Sequence, residues 1–149
     1  VSIPTMRKDF ITEIQQTDEA KECGAKAVLL IVRMLSDKQL RKLHTHAIGI
    51  GLDVLVETHT RKEINRAVSV GASIIGVNAR DLETFVVDKT IFEKLLPLIP
   101  ANCLKVAESG IHSRHDVVDV IRFGADAVLV GSALMKSQHP GEKIKELLS

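Results

Sequence analysis

Three stretches of the chain repeat one pattern: "CGAKAVLLIV" from Cys23, "VGASIIGVNA" from Val70 and "FGADAVLVGS" from Phe123. Each sets Gly-Ala directly ahead of an apolar, β-branched run, and "GIGLDVLVET" is a looser copy. Glycine takes positive φ without steric cost and so ends a helix; a continuous apolar run straight after it reads as a strand buried on both faces. Amphipathic segments with start signals lie between these runs. Ser36 with Gln39 and Thr60 with Glu63 fit the capping box, and Ser113 with Asp116 is a looser version of it. The pattern predicts strands near 3–7, 27–32, 53–57, 73–78, 104–108 and 127–131, with helices near 13–22, 36–48, 60–70, 89–98, 113–123 and 141–148.

Helices therefore follow strands in six β-α units, read as a single domain over residues 1–149. Parallel strands need a crossover and a helix supplies it, so the alternation calls for a parallel sheet with right-handed connections. A doubly wound sheet and a (β/α)8 barrel both satisfy that rule. Units of roughly 20–27 residues suit the barrel, whose eight units occupy about 250 residues. Six units make a partial TIM barrel, and because "VSIPTMRKDF" opens at or just before a strand, two units are expected to be missing ahead of it. Such a fragment would expose sheet edges near 3–7 and 127–131, which favour self-association or leave the chain marginally stable.

A 45% hydrophobic content fits a globular protein with a core, while 20 Lys and Arg against 19 Asp and Glu leave a formal charge of +1. With its charges interspersed, the chain has no electrostatic signature of a nucleic-acid or membrane-surface partner. Cys23 and Cys103 are unclustered and neighbour apolar residues, so buried thiols in a reducing, cytosolic compartment are expected rather than a disulfide or zinc site. Neither a signal peptide nor an apolar run of membrane length is visible.

The ends of the predicted strands carry the chemistry. Lys8 follows "PTM", Glu57 follows "VLV", Asn78 follows "IGV", Glu108 and Ser109 follow "KVA", and Gly131-Ser132 follow "VLV". In parallel α/β folds the carboxyl ends of strands converge on one face, so Lys8, Glu57 and Glu108 are expected on one rim, where burial and neighbours tune acid–base groups. Any one of these residues would equally serve as a helix cap; five of six strand ends behaving alike favours a site. Gly110, Gly131 and Ser132 follow the last two strands, where barrels often bind phosphate through backbone N–H groups, and Arg80 would add charge. The six histidines show no metal-ligand spacing and are expected to be solvated; His44 and His46, two apart on a helix, face different ways. "DLETFVVDKT" is longer than the other connections and reads either as a rim element or as a spacer.

"MRKDFI", "AVLLIV", "LDVLVETH", "IIGVNARDLETF", "VAESGI" and "GADAVLVGSALM", in this order, closely resemble the indole-3-glycerol phosphate synthase family of tryptophan biosynthesis. That resemblance implies a (β/α)8 barrel that closes the indole ring of 1-(2-carboxyphenylamino)-1-deoxyribulose 5-phosphate with loss of carbon dioxide and water, using no cofactor and no metal. It implies that Lys8 is the general acid toward the substrate ketone and that Glu57 serves the proton transfers of dehydration. Asn78, Glu108 and Ser109 would orient the substrate and its developing charge, and Arg80, Gly110, Gly131 and Ser132 would hold its phosphate. In the family two further β-α units precede "RKDF" and carry another glutamate and a substrate-binding lysine, so the isolated chain is expected to be inactive. The alternatives are a non-catalytic phosphate-binding remnant, or another phosphate-binding barrel enzyme, against which "RKDF" and "ESGI" together count.

Overall fold

The computed structural model describes residues 2–149. Six parallel β-α units are present, with the strands in chain order across the sheet: β1 (Met6–Arg7), β2 (Ala27–Ile31), β3 (Asp53–Thr58), β4 (Ile74–Asn78), β5 (Leu104–Glu108) and β6 (Ala127–Leu129). The helices are α1 (Ile14–Glu22), α2 (Asp37–Gly49), α3 (Arg61–Ser69), α4 (Thr90–Leu95), α5 (Arg114–Arg122), α6 (Ser132–Met135) and α7 (Pro140–Leu148). Contacts divide the chain within β4, into one compact unit that ends at Ile75 and another that begins at Gly76.

In the first unit β1 pairs with β2 through Met6 and Ala27, and β2 pairs with β3 from Ala27 opposite Asp53 to Ile31 opposite Glu57. Val28, Leu29, Leu30 and Ile31 are all buried, the mark of a parallel strand covered on both faces. Each fully buried Leu or Ile side chain contributes about 1.5–3 kcal/mol by leaving water. Leu40, Leu43 and Ala47 of α2 and Ile64 and Ala67 of α3 complete this core. In the second unit Val106 pairs with Ala127 and Glu108 with Leu129, and Val77, Phe92, Leu96, Val106, Ala107, Val117 and Val120 are buried. β6 is only partly covered.

The repeated Gly-Ala pair does the same work each time. Gly24, Gly71 and Gly124 have φ of 84°, 81° and 99°. The alanine after each donates its N–H back into the preceding helix: Ala25 to the Ala20 carbonyl at 2.9 Å, Ala72 to Ala67 at 3.2 Å and Ala125 to Val120 at 2.9 Å. This is the bond that closes a Schellman motif, and it turns the chain directly into the next strand.

The first predicted strand shrinks to two residues, and the last ends at Leu129 because the chain then turns into the one-turn helix α6. Ser36 and Gln39 form the expected reciprocal cap, with Gln39 N–H on Ser36 Oγ at 3.3 Å and Ser36 N–H on Gln39 Oε1 at 3.0 Å. Ser113 and Asp116 form one as well. Thr60 caps Glu63 N–H at 3.2 Å, but the Glu63 carboxylate accepts instead from the His59 N–H at 2.6 Å. Cys23, expected to be buried, is exposed because it is the residue that caps the end of α1; Cys103 is buried, and neither forms a disulfide. No helix among the described residues is long and apolar enough to cross a membrane.

Candidate active site

In the first unit the site begins with Lys8, the residue after β1, and Glu57, near the carboxyl end of β3. Lys8 Nζ lies 3.9 Å from Glu57 Oε2, with the lysine side chain 48% exposed and the glutamate 1%. An ammonium that reaches solvent on one side and a buried carboxylate on the other is a pair suited to moving protons.

Alternation along an extended chain brings Glu57 and His59, two residues apart, to one side. His59 Nε2 lies 3.4 Å from Glu57 Oε1, and its Nδ1 lies 3.5 Å from Glu63 Oε2. Glu63 is fixed by the first turn of α3, and its Oε1 lies 3.6 Å from Arg33 Nε, carried on the 3-10 turn Val32–Met34 after β2. Burial opposes ionisation of Glu63, yet the hydrogen bonds and charge of His59 and the charge of Arg33 overcome it and hold its carboxyl below the usual glutamate range.

The solvated state expected of the histidines does not hold for two of them. His59 is 9% exposed and enclosed by carboxylates, and His44 is 7% exposed on the inward face of α2 beside Leu40, Leu43 and Ala47. Burial pushes the His44 imidazole below its ordinary value. His46, turned the other way as expected, meets Asp18 Oδ1 at 2.6 Å. Sequence reading missed Arg33, His59 and Glu63 as members of the site; the one available signal was the spacing in "ETHTRKE", where strand alternation and a helical turn meet at the histidine.

In the second unit Asn78 closes β4, is buried, and accepts the Arg80 N–H on Oδ1 at 3.0 Å. The Arg80 guanidinium donates to the Phe85 carbonyl at 3.2 Å, and its backbone bridges antiparallel to Val87. Asp81 organises the tip of this loop by accepting the N–H groups of Glu83 and Thr84 at 2.9 and 2.8 Å. "DLETFVVDKT" is thus a built rim element after β4 rather than a spacer. Its base joins the end of β5: Ala79 donates to the Glu108 carbonyl at 2.9 Å.

Glu108 is 1% exposed at the end of β5, and Ser109 and Gly110 follow with φ of 66° and 73°. A Cβ on Gly110 would stand 2.9 Å from Val87 Cγ1 and 3.0 Å from Lys89 Cγ, so the loop after β4 packs directly on that glycine. Glu108 pairs with Leu129 across the sheet, and the segments that leave β5 and β6 therefore start side by side. Gly131 and Ser132 are exposed at the start of α6, where the Gly131 carbonyl accepts from Leu134 and Met135 at 3.0 Å each.

Parallel β-α units with polar side chains at the carboxyl ends of their strands are the arrangement of the parallel α/β class, barrels and doubly wound sheets alike. The particular family follows from comparison with known proteins: indole-3-glycerol phosphate synthase matches residues 1–147, and the chain belongs to that family. Indole-3-glycerol phosphate synthase 1 of Streptomyces coelicolor is 47% identical over 149 residues, covering 100% of this chain and 55% of the relative. The synthase of Mycolicibacterium smegmatis is 45% identical with the same coverage, and that of Aquifex aeolicus is 47% identical over 99% of this chain and 58% of its own length. The chain spans about half the length of the curated relatives it matches.

Among solved structures, 3-hexulose-6-phosphate synthase from Salmonella typhimurium superposes with a TM-score of 0.80 at 16% identity, over 97% of this chain and 71% of that one. A mandelate oxidase variant with an FMN adduct gives 0.76 at 18% identity, over 99% and 56%. These likenesses bear on the fold alone. With the family they place the six units in the (β/α)8 class.

Proposed function

We propose that this chain supplies the strand-end machinery of an indole-3-glycerol phosphate synthase, acting in the cytoplasm on a phosphorylated 1-(2-carboxyphenylamino)-1-deoxyribulose. The observation that carries the reading is Lys8 Nζ at 3.9 Å from the buried Glu57 carboxylate. In this reading Lys8 gives a proton to the substrate ketone as the ring carbon attacks it. Carbon dioxide then leaves, and Glu57 handles the proton transfers that expel water. Asn78, Glu108 and Ser109 orient the substrate, while Arg80, Gly110, Gly131 and Ser132 receive its phosphate. Support for the phosphate-binding group comes from the positive φ of Gly110, which bends the chain sharply straight after β5, and from the exposure of Gly131 and Ser132.

The test follows indole fluorescence when the chain is supplied with the remaining length of a relative. Turnover is expected, and Lys8→Ala is expected to lower it about 10²–10⁴-fold, the usual contribution of a positioned acid. Full turnover by Lys8→Ala would refute the assignment.

A further inference from the structure

The imidazole of His59 is a buried titratable group that the proposed chemistry leaves unused. Its side chain is 4% exposed, and each ring nitrogen faces a carboxylate oxygen, Nε2 toward Glu57 at 3.4 Å and Nδ1 toward Glu63 at 3.5 Å. Both distances exceed an ordinary hydrogen bond, the loose geometry common in a site that tightens when substrate binds. The two carboxylates are not equivalent. Glu63 is anchored on its other oxygen by Arg33 at 3.6 Å and also accepts the His59 backbone N–H at 2.6 Å. Glu57 instead turns its second oxygen to Lys8 at 3.9 Å. Basic and acidic groups thus alternate along Arg33, Glu63, His59, Glu57 and Lys8, with the fixed end at Arg33 and the solvent-reaching end at Lys8.

We propose that His59 is a positioning residue for Glu57 and its proton reservoir: Glu63 holds a proton on Nδ1, leaving Nε2 to exchange one with Glu57 Oε1. When Glu57 takes a proton from substrate, that proton passes to Nε2, Glu57 regains its negative charge, and the ring becomes an imidazolium whose Nδ1–H stays on Glu63. Delivery runs the same transfer backwards, so no proton is created or lost and no further reactant is needed. A carboxylate oriented behind an imidazole fixes tautomer and direction in the same way in catalytic triads. The inference rests on the reading of Glu57 as the proton-transfer group.

Two measurements test it separately from that reading. Long-range proton–nitrogen NMR of the chain labelled with ¹⁵N-histidine should find the His59 Nδ1 protonated. Glu63→Gln, which can donate to Nδ1, should move the proton to Nε2. An unprotonated Nδ1 in the native chain, or a tautomer indifferent to Glu63→Gln, overturns the proposal whether or not the chain has activity. In the fluorescence assay His59→Gln keeps a donor near Glu57 but cannot carry a proton, and kcat should fall roughly tenfold with KM nearly unchanged, the signature of a contribution made in the transition state. Native turnover in His59→Gln also overturns it. Absent turnover in the native protein refutes the proposed function instead, and the NMR result then decides the role of His59 alone.

Discussion

Asp116 is the most heavily engaged carboxylate of the second unit. Burial would raise its pKa, but Lys89 Nζ at 2.5 Å, the backbone N–H groups of His112 and Ser113 at 2.9 Å each, and the Ser113 hydroxyl lower it from 3.8 to about 2. The unfolded chain therefore binds the extra proton first. Stability from this group is complete above pH 3.8 and is lost as pH falls toward about 2. His44 acts at higher pH: burial lowers its pKa from 6.5, so the unfolded chain protonates first and stability begins to fall as pH drops below 6.5. Melting temperature followed by circular dichroism should decline in two stages on acidification. His44→Leu should remove the upper stage and Asp116→Asn should shrink the lower, which Glu63 shares because its carboxyl is also held low; an upper stage that survives His44→Leu would place its origin elsewhere.

At the scale of elements, the junction after β5 is the most constrained. Gly110 needs positive φ, and its missing side chain is where Val87 and Lys89 sit. Gly110→Ala should cost about 1–2 kcal/mol from the backbone alone, with more from displacing Val87, read as a lower urea midpoint; an unchanged midpoint would show that the loop yields freely. The glycine-to-strand units were legible in the sequence because each rests on contacts within a few residues, as in the Ala25 to Ala20 bond. Lys8, Glu57, Asn78 and Glu108 were legible for a related reason, since a strand's end shows where its apolar run stops. The antiparallel return of Val87 to Arg80 was not, being fixed by loop hydrogen bonds that no periodicity records. Nor was the burial of His59, which depends on Arg33 and Glu63 arriving from other elements. β1 was overestimated because Ile3, apolar in the sequence, is 72% exposed in the fold.

For the whole molecule, family membership over residues 1–147 and the order of the β-α units make one central claim: chemistry belongs at the carboxyl ends of these strands. The relatives' activity reaches this chain only if its own residues there meet ligand. Titrating indole-3-glycerol phosphate into the ¹⁵N-labelled chain and following its amide resonances tests this most directly. The account predicts dose-dependent shifts at Lys8, His59, Ser109, Gly110, Gly131 and Ser132, with Asp53 and Leu104, at the amino ends of β3 and β5, unmoved. Shifts confined to the amino ends of the strands, or none with ligand in the millimolar range, would contradict it.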